Sequence, residues 1–113
     1  MNVSRFFSLL MEPARARAVA VQTQSEGLDY AALLARVDSL AGDLAARGGT
    51  VVASLMDSGL EWIVLDLACL QAGVVHVPLP LFFTPGQWRE TLDAAGVNAV
   101  VGSASCNVFV IAA

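Results

Sequence analysis

Lysine is missing from this chain: all six basic residues are arginine (Arg5, Arg15, Arg17, Arg36, Arg47, Arg89), and the net charge is −4. Only Arg15 and Arg17 approach a cluster. Nucleic-acid binding is excluded on that ground, because neutralising phosphates requires clustered cations. Charge of either sign is scarce, at 14% of 113 residues against 57% hydrophobic, where soluble domains usually carry about 25% charged residues. The length suits one domain. So apolar a composition implies surface intended to meet further polypeptide or a partner.

Cysteine and histidine are also few. Cys69 and Cys106 offer neither a disulfide framework nor metal-ligand spacing. Cys69 falls in an apolar helical pattern and reads as a buried structural thiol, which suits a reducing, cytoplasmic setting. His76 is the single histidine. A general base needs an orienting carboxylate and a nucleophile beside it. Within an apolar strand, His76 reads as a packed or hydrogen-bonded structural residue. Neither G-x-x-x-x-G-K-[ST] nor G-x-G-x-x-G occurs, so no phosphate-gripping loop is present.

Met1 to Ala18 imitates a secretion signal, but its apolar run Phe6–Met11 is short, is broken by Ser8 and precedes Glu12. Leu67 to Trp88 has no formal charge over 22 residues. Gly73, Pro78, Pro80, Pro85 and Gly86 interrupt it, so no continuous membrane helix is expected there.

What the chain does have is a cadence. Apolar runs begin at Val51, Val74 and Val97, 23 residues apart, each just after glycine: Gly48-Gly49, Gly73 and Gly96. Helical stretches lie between them, and a parallel strand pair needs such a crossover. The fold class expected is α/β: three-layer, with a mostly parallel sheet and flanking helices. A short helix over Val3–Met11 and a hairpin with strands at Ala18–Val21 and Leu28 precede it. Asp29 caps a helix over Tyr30–Arg47 whose inner face is Leu33, Val37, Leu40 and Leu44. Ser58 and Glu61 form a capping box for a helix to Ala72 with Trp62, Leu65 and Cys69 inward. Thr84 and Gln87 form another, with Pro85 at the first helical position and Trp88, Leu92 and Ala95 on one face.

Asp57, Ser58 and Glu61 follow the first central strand, at the edge where α/β folds commonly bind ligands. Capping accounts for Ser58 and Glu61 without a ligand. Ser103, Ser105 and Cys106 follow the last strand with no histidine or lysine beside them in sequence.

From Pro13 to Gly102 the chain resembles the beginning of an adenylate-forming (AMP-binding) enzyme, the superfamily of acyl-CoA synthetases, peptide-synthetase adenylation domains and luciferases. The resemblance rests on Leu28–Leu33 (LDYAAL), Leu40–Gly48 (LAGDLAARG), Ser58–Trp62 (SGLEW) and Leu67–Leu79 (LACLQAGVVHVPL), in that order and spacing. It implies a partial N-terminal domain of an acyl-CoA-synthetase-like ligase. Such enzymes, which serve processes such as fatty acid metabolism, convert a carboxylic acid and ATP to an acyl-adenylate and pass the acyl group to a thiol. ATP, magnesium and coenzyme A are thus implied for a complete enzyme, and no cofactor for this chain alone. The family's phosphate loop, adenine-contacting segment, magnesium-binding glutamate and catalytic lysine all lie beyond this length. No catalytic, cofactor-binding or metal residue is therefore assigned here. The turn Gly48-Gly49-Thr50 is shorter than the family's, and Asp57 stands where asparagine is common.

Residues 1–113 are accordingly expected to form a single partial domain, with 103–113 an unassigned tail. The expected role is an inactive scaffold of an ATP-dependent acid–thiol ligase, partnered by the remainder of the parent enzyme. The alternative is a non-enzymatic module that pairs with itself or with a full-length relative, motivated by the uncharged end Val108–Ala113.

Overall fold

A computed structural model describes residues 3–24, 26–48, 50–56 and 59–102, and the backbone of 108–110. Helix α1 (Val3–Leu10) and a 3-10 turn (Pro13–Arg15) lead into strands β1 (Val19–Gln22) and β2 (Gly27–Asp29). Then come α2 (Tyr30–Ala46), β3 (Val51–Leu55), α3 (Leu60–Ala72), β4 (Val75–Pro78), α4 (Pro85–Ala95), β5 (Ala99–Gly102) and β6 (Val108–Val110).

Strands β1 and β2 pair antiparallel as a separate hairpin. The main sheet has the order β4-β3-β5-β6. Its first three strands are parallel, and β6 runs antiparallel to β5, with Val100 opposite Phe109. The α/β class and the parallel central strands expected from the cadence are present. From β3 the chain steps to β4 on one side, then returns across β3 to β5 on the other. Right-handed crossovers therefore set α3 and α4 on opposite faces of the sheet.

The strand starts differ from the apolar runs. They fall at Val51, Val75 and Ala99, 24 residues apart. Gly73 and Gly96 adopt left-handed conformations at φ 71° and 67°. The next amide is then spent on the helix end, Val74 N–H donating to Cys69 O (2.8 Å) and Val97 N–H to Leu92 O (3.0 Å). This is the Schellman arrangement, whose residue after the glycine is characteristically apolar. Val74 and Val97 thus belong to helix caps and precede the strands.

Helix α2 starts as the sequence implies, with Asp29 Oδ1 accepting from Ala32 N–H at 2.7 Å. Thr84 and Gln87 close a reciprocal capping box on α4, beside Pro85. The box expected at Ser58 and Glu61 is corrected. The N-cap of α3 is Gly59, which has no side chain to close one, and Glu61 sits inside the first turn. Ser58 and Asp57 lie outside the described residues, as do Ser103, Ser105 and Cys106.

The main core lies between α2, α3 and one sheet face. It joins Leu33, Val37, Leu40, Ala41 and Leu44 to Val64, Leu65, Ala68 and Cys69, and both to Val52, Met56, Ala99 and Val101. Each large side chain fully buried there contributes about 1.5–3 kcal/mol relative to exposure. Phe7 closes one side of this core from α1. The other sheet face is less completely covered: α4 buries none of its residues, and Ala95, which shares a helix face with Trp88 and Leu92, is exposed.

Candidate functional site

Strand β3 is central, so its side chains alternate between two covered faces. Val52, Ser54 and Met56 point toward α3, and register pairs Val52 with His76 and Ser54 with Pro78 on β4. His76 therefore stands beside Ser54 under α3. Its Nε2 lies 2.8 Å from Ser54 Oγ, and its Nδ1 lies 2.9 Å from Asp66 Oδ1 on α3. The Trp62 ring lies against the imidazole, with centroids 5.4 Å apart.

A carboxylate can only accept, so the neutral tautomer that satisfies all three groups has Nδ1–H donating to Asp66 and Ser54 O–H donating to Nε2. Serine, histidine and carboxylate in that order have the composition of an acyl-transfer relay. Burial rules out that chemistry. Ser54 is 1% exposed on an inner strand, and a nucleophile must reach within about 3–3.5 Å of an acyl carbon. The imidazole is likewise enclosed, its side chain 6% exposed, while the Asp66 side chain is half open at 50%. The trio joins β3, β4 and α3 and satisfies two buried polar side chains.

His76 has the hydrogen-bonded, packed setting its place in an apolar strand implies, but neither partner is evident from the sequence. Asp66 lies ten positions before it and Ser54 twenty-two before it. A polar serine at an inward position of an otherwise apolar strand was the available signal, since a buried hydroxyl needs a partner.

Beyond the trio, at the carboxyl ends of β3 and β4, an open cleft of about 350 Å³ is lined by Met56, Trp62, Leu79, Leu81 and Phe82 with Pro78 and Pro80. That end of an open α/β sheet is where ligands commonly bind. Cys69 lies elsewhere, 1% exposed in the core. Burial, with a smaller contribution from Asp66, pushes its thiol up to about 11, so it is not a reactive thiolate. Among the described residues, no three His, Cys, Asp or Glu side chains converge to hold a metal ion. No described helix is long and apolar enough to cross a membrane.

A short central parallel sheet, helices crossing between its strands and a hairpin leading into α2 define an open α/β layer. The chain belongs to the AMP-binding enzyme family, whose model matches residues 11–111. No curated protein sequence matches it. Among solved structures, it is similar to apo MatB from Rhodopseudomonas palustris (31% identity, TM-score 0.79), over 93% of this chain and 22% of that one. It is also similar to a benzoate CoA ligase from Burkholderia xenovorans LB400 (24% identity, TM-score 0.80), over 92% and 22% of the two chains. A third likeness is to the Klebsiella oxytoca NpsA N-terminal subdomain in complex with anthranilyl-AMSN (23% identity, TM-score 0.76), over 87% and 26%. This chain thus spans about a fifth of the length of MatB and the benzoate CoA ligase, and about a quarter of the NpsA subdomain.

Proposed function

We propose that this chain is a scaffold portion of an ATP-dependent acid–thiol ligase and has no ligase activity alone. One observation carries this: the match takes in 93% of the chain but only 22% of MatB. A complete enzyme of this kind joins a carboxylic acid to ATP, releasing pyrophosphate and forming an acyl-adenylate. A thiol such as coenzyme A then takes the acyl group and releases AMP. The scaffold's part is mechanical: it supplies parallel strands and two crossover helices around which the reacting segments are built. A cytoplasmic setting and a place in fatty acid metabolism belong to the same proposal.

A second reading, a non-enzymatic module that pairs with itself or with a full-length relative, draws support from Val75, Leu81 and Phe82. These are 58%, 48% and 85% exposed, and exposed apolar surface of this kind favours association.

The test of the scaffold reading is acid-dependent exchange of labelled pyrophosphate into ATP by the isolated chain, over a panel of aliphatic and aromatic acids. No exchange above background is expected. Exchange that depends on one acid and is saturable would overturn the proposal.

A further inference from the structure

Phe82 is the most exposed large hydrophobic side chain described, and it does not hang from a loose loop. Leu79 is buried beneath the turn, and its N–H donates to Ser54 O at 2.8 Å. Phe83 N–H donates to Pro80 O at 3.2 Å, and Trp88 Nε1–H donates to the same carbonyl at 2.9 Å. Phe83 meets Phe82 edge-on, with ring centroids 5.5 Å apart. Backbone, indole and neighbouring ring thus hold residues 79–83 in one shape that displays Leu81 and Phe82. Beside them lies the cleft over Met56 and Trp62. A fixed aromatic knob next to an apolar hole is the arrangement of an interface centre, where little ordering remains to be done on binding.

The occupant is indicated by length. The matched NpsA structure is a single N-terminal subdomain, and this chain covers 26% of it. Most of the globular unit to which this fold corresponds is therefore polypeptide outside these residues, and it needs apolar surface to pack on. On the α2–α3 side of the sheet, Phe7 of α1 already packs against the core.

We infer that the turn 79–83 and its cleft form the docking surface for the rest of the family's N-terminal subdomain. Phe82 enters an apolar pocket of that segment, and one of its apolar side chains fills the cleft. This rests on the scaffold reading and adds the place of contact.

The test fuses the whole chain to R. palustris MatB in place of the segment it matches, and compares Phe82→Asp with Met11→Asp. Met11 is 61% exposed and lies just beyond α1. The fusion's own ATP-dependent turnover and its melting temperature are measured, and the isolated chain is sized in solution with and without each change. Phe82→Asp is expected to lower turnover of the fusion at least about tenfold and to lower its melting temperature. Met11→Asp is expected to do neither, and both variants of the isolated chain should melt as the parent does. An active fusion indifferent to Phe82→Asp overturns the inference and leaves the scaffold reading standing. A folded but inactive parent fusion overturns both. An isolated dimer that Phe82→Asp makes monomeric, with fusion turnover unchanged, assigns the turn to self-pairing and also overturns the inference.

Discussion

His76 on β4 reaches across to Ser54 on β3 with 2.8 Å between Nε2 and Oγ, while its other nitrogen lies 2.9 Å from Asp66 on α3. One side chain therefore ties two parallel strands to their crossover helix. In this fold the histidine acts as a rivet, because its serine neighbour has no access to a substrate.

Removing either half of the rivet strands a buried polar group. His76→Phe and Ser54→Ala are each expected to lower stability by about 1–3 kcal/mol. The double variant should lose less than the sum, because neither change then leaves a buried group without its partner. Urea unfolding of the four proteins in the cycle measures the coupling. Simple additivity would show that the two side chains do not depend on each other.

Asn98, just before β5, is a second clamp. Its Oδ1 accepts from Thr50 N–H at 3.2 Å and Val51 N–H at 3.3 Å, and its Nδ2 donates to Thr50 Oγ1 at 3.2 Å. Asn98→Leu should cost about 0.5–1.5 kcal/mol, whereas Asn98→Asp keeps the acceptor and should cost less. Faster amide exchange at Thr50 and Val51 in the leucine variant would locate the damage at the start of β3.

Much of this fold was legible in the sequence because its signals are local. Asp29, Thr84, Gln87, Pro85, Gly73 and Gly96 each act within one helical turn, and their helices follow. The class followed from the cadence, since strands with helices between them have few ways to pack. The strand starts were misplaced because an apolar residue after a left-handed glycine looks the same in sequence whether it caps a helix or opens a strand. Gly59 displaced the box expected at Ser58 for the same local reason, a helix start shifted by one residue. The trio of Ser54, Asp66 and His76 was not legible as a unit. Its members meet only once β4 has registered beside β3 and α3 has crossed above, and nothing in their spacing encodes that.

Gly73 takes φ 71°, and a Cβ there would meet nothing within 4 Å. The penalty of Gly73→Ala is thus purely conformational, about 1–2 kcal/mol for an L-residue held in the left-handed region. Thermal melts should show Gly73→Asn less destabilised than Gly73→Ala, because asparagine visits that region more readily. Equal losses would point to a packing role for the glycine.

Burial holds the Cys69 thiol protonated, raising it from 9.0 to about 11. The unfolded chain therefore binds fewer protons than the folded one across that window, and stability should fall as pH rises from about 9 towards 11. Site-resolved alkylation should find Cys69 unmodified at pH 8 in the folded chain and modified promptly in denaturant. Rapid modification of the folded protein would contradict the burial.

The proposal that these residues build part of a ligase without carrying its chemistry is tested by a parallel assay of ATP-dependent acid activation, on the isolated chain and on its fusion to the remainder of R. palustris MatB. Background exchange is expected from the first and turnover from the second. Acid-dependent exchange by the isolated chain, or a folded fusion with no turnover, would contradict it.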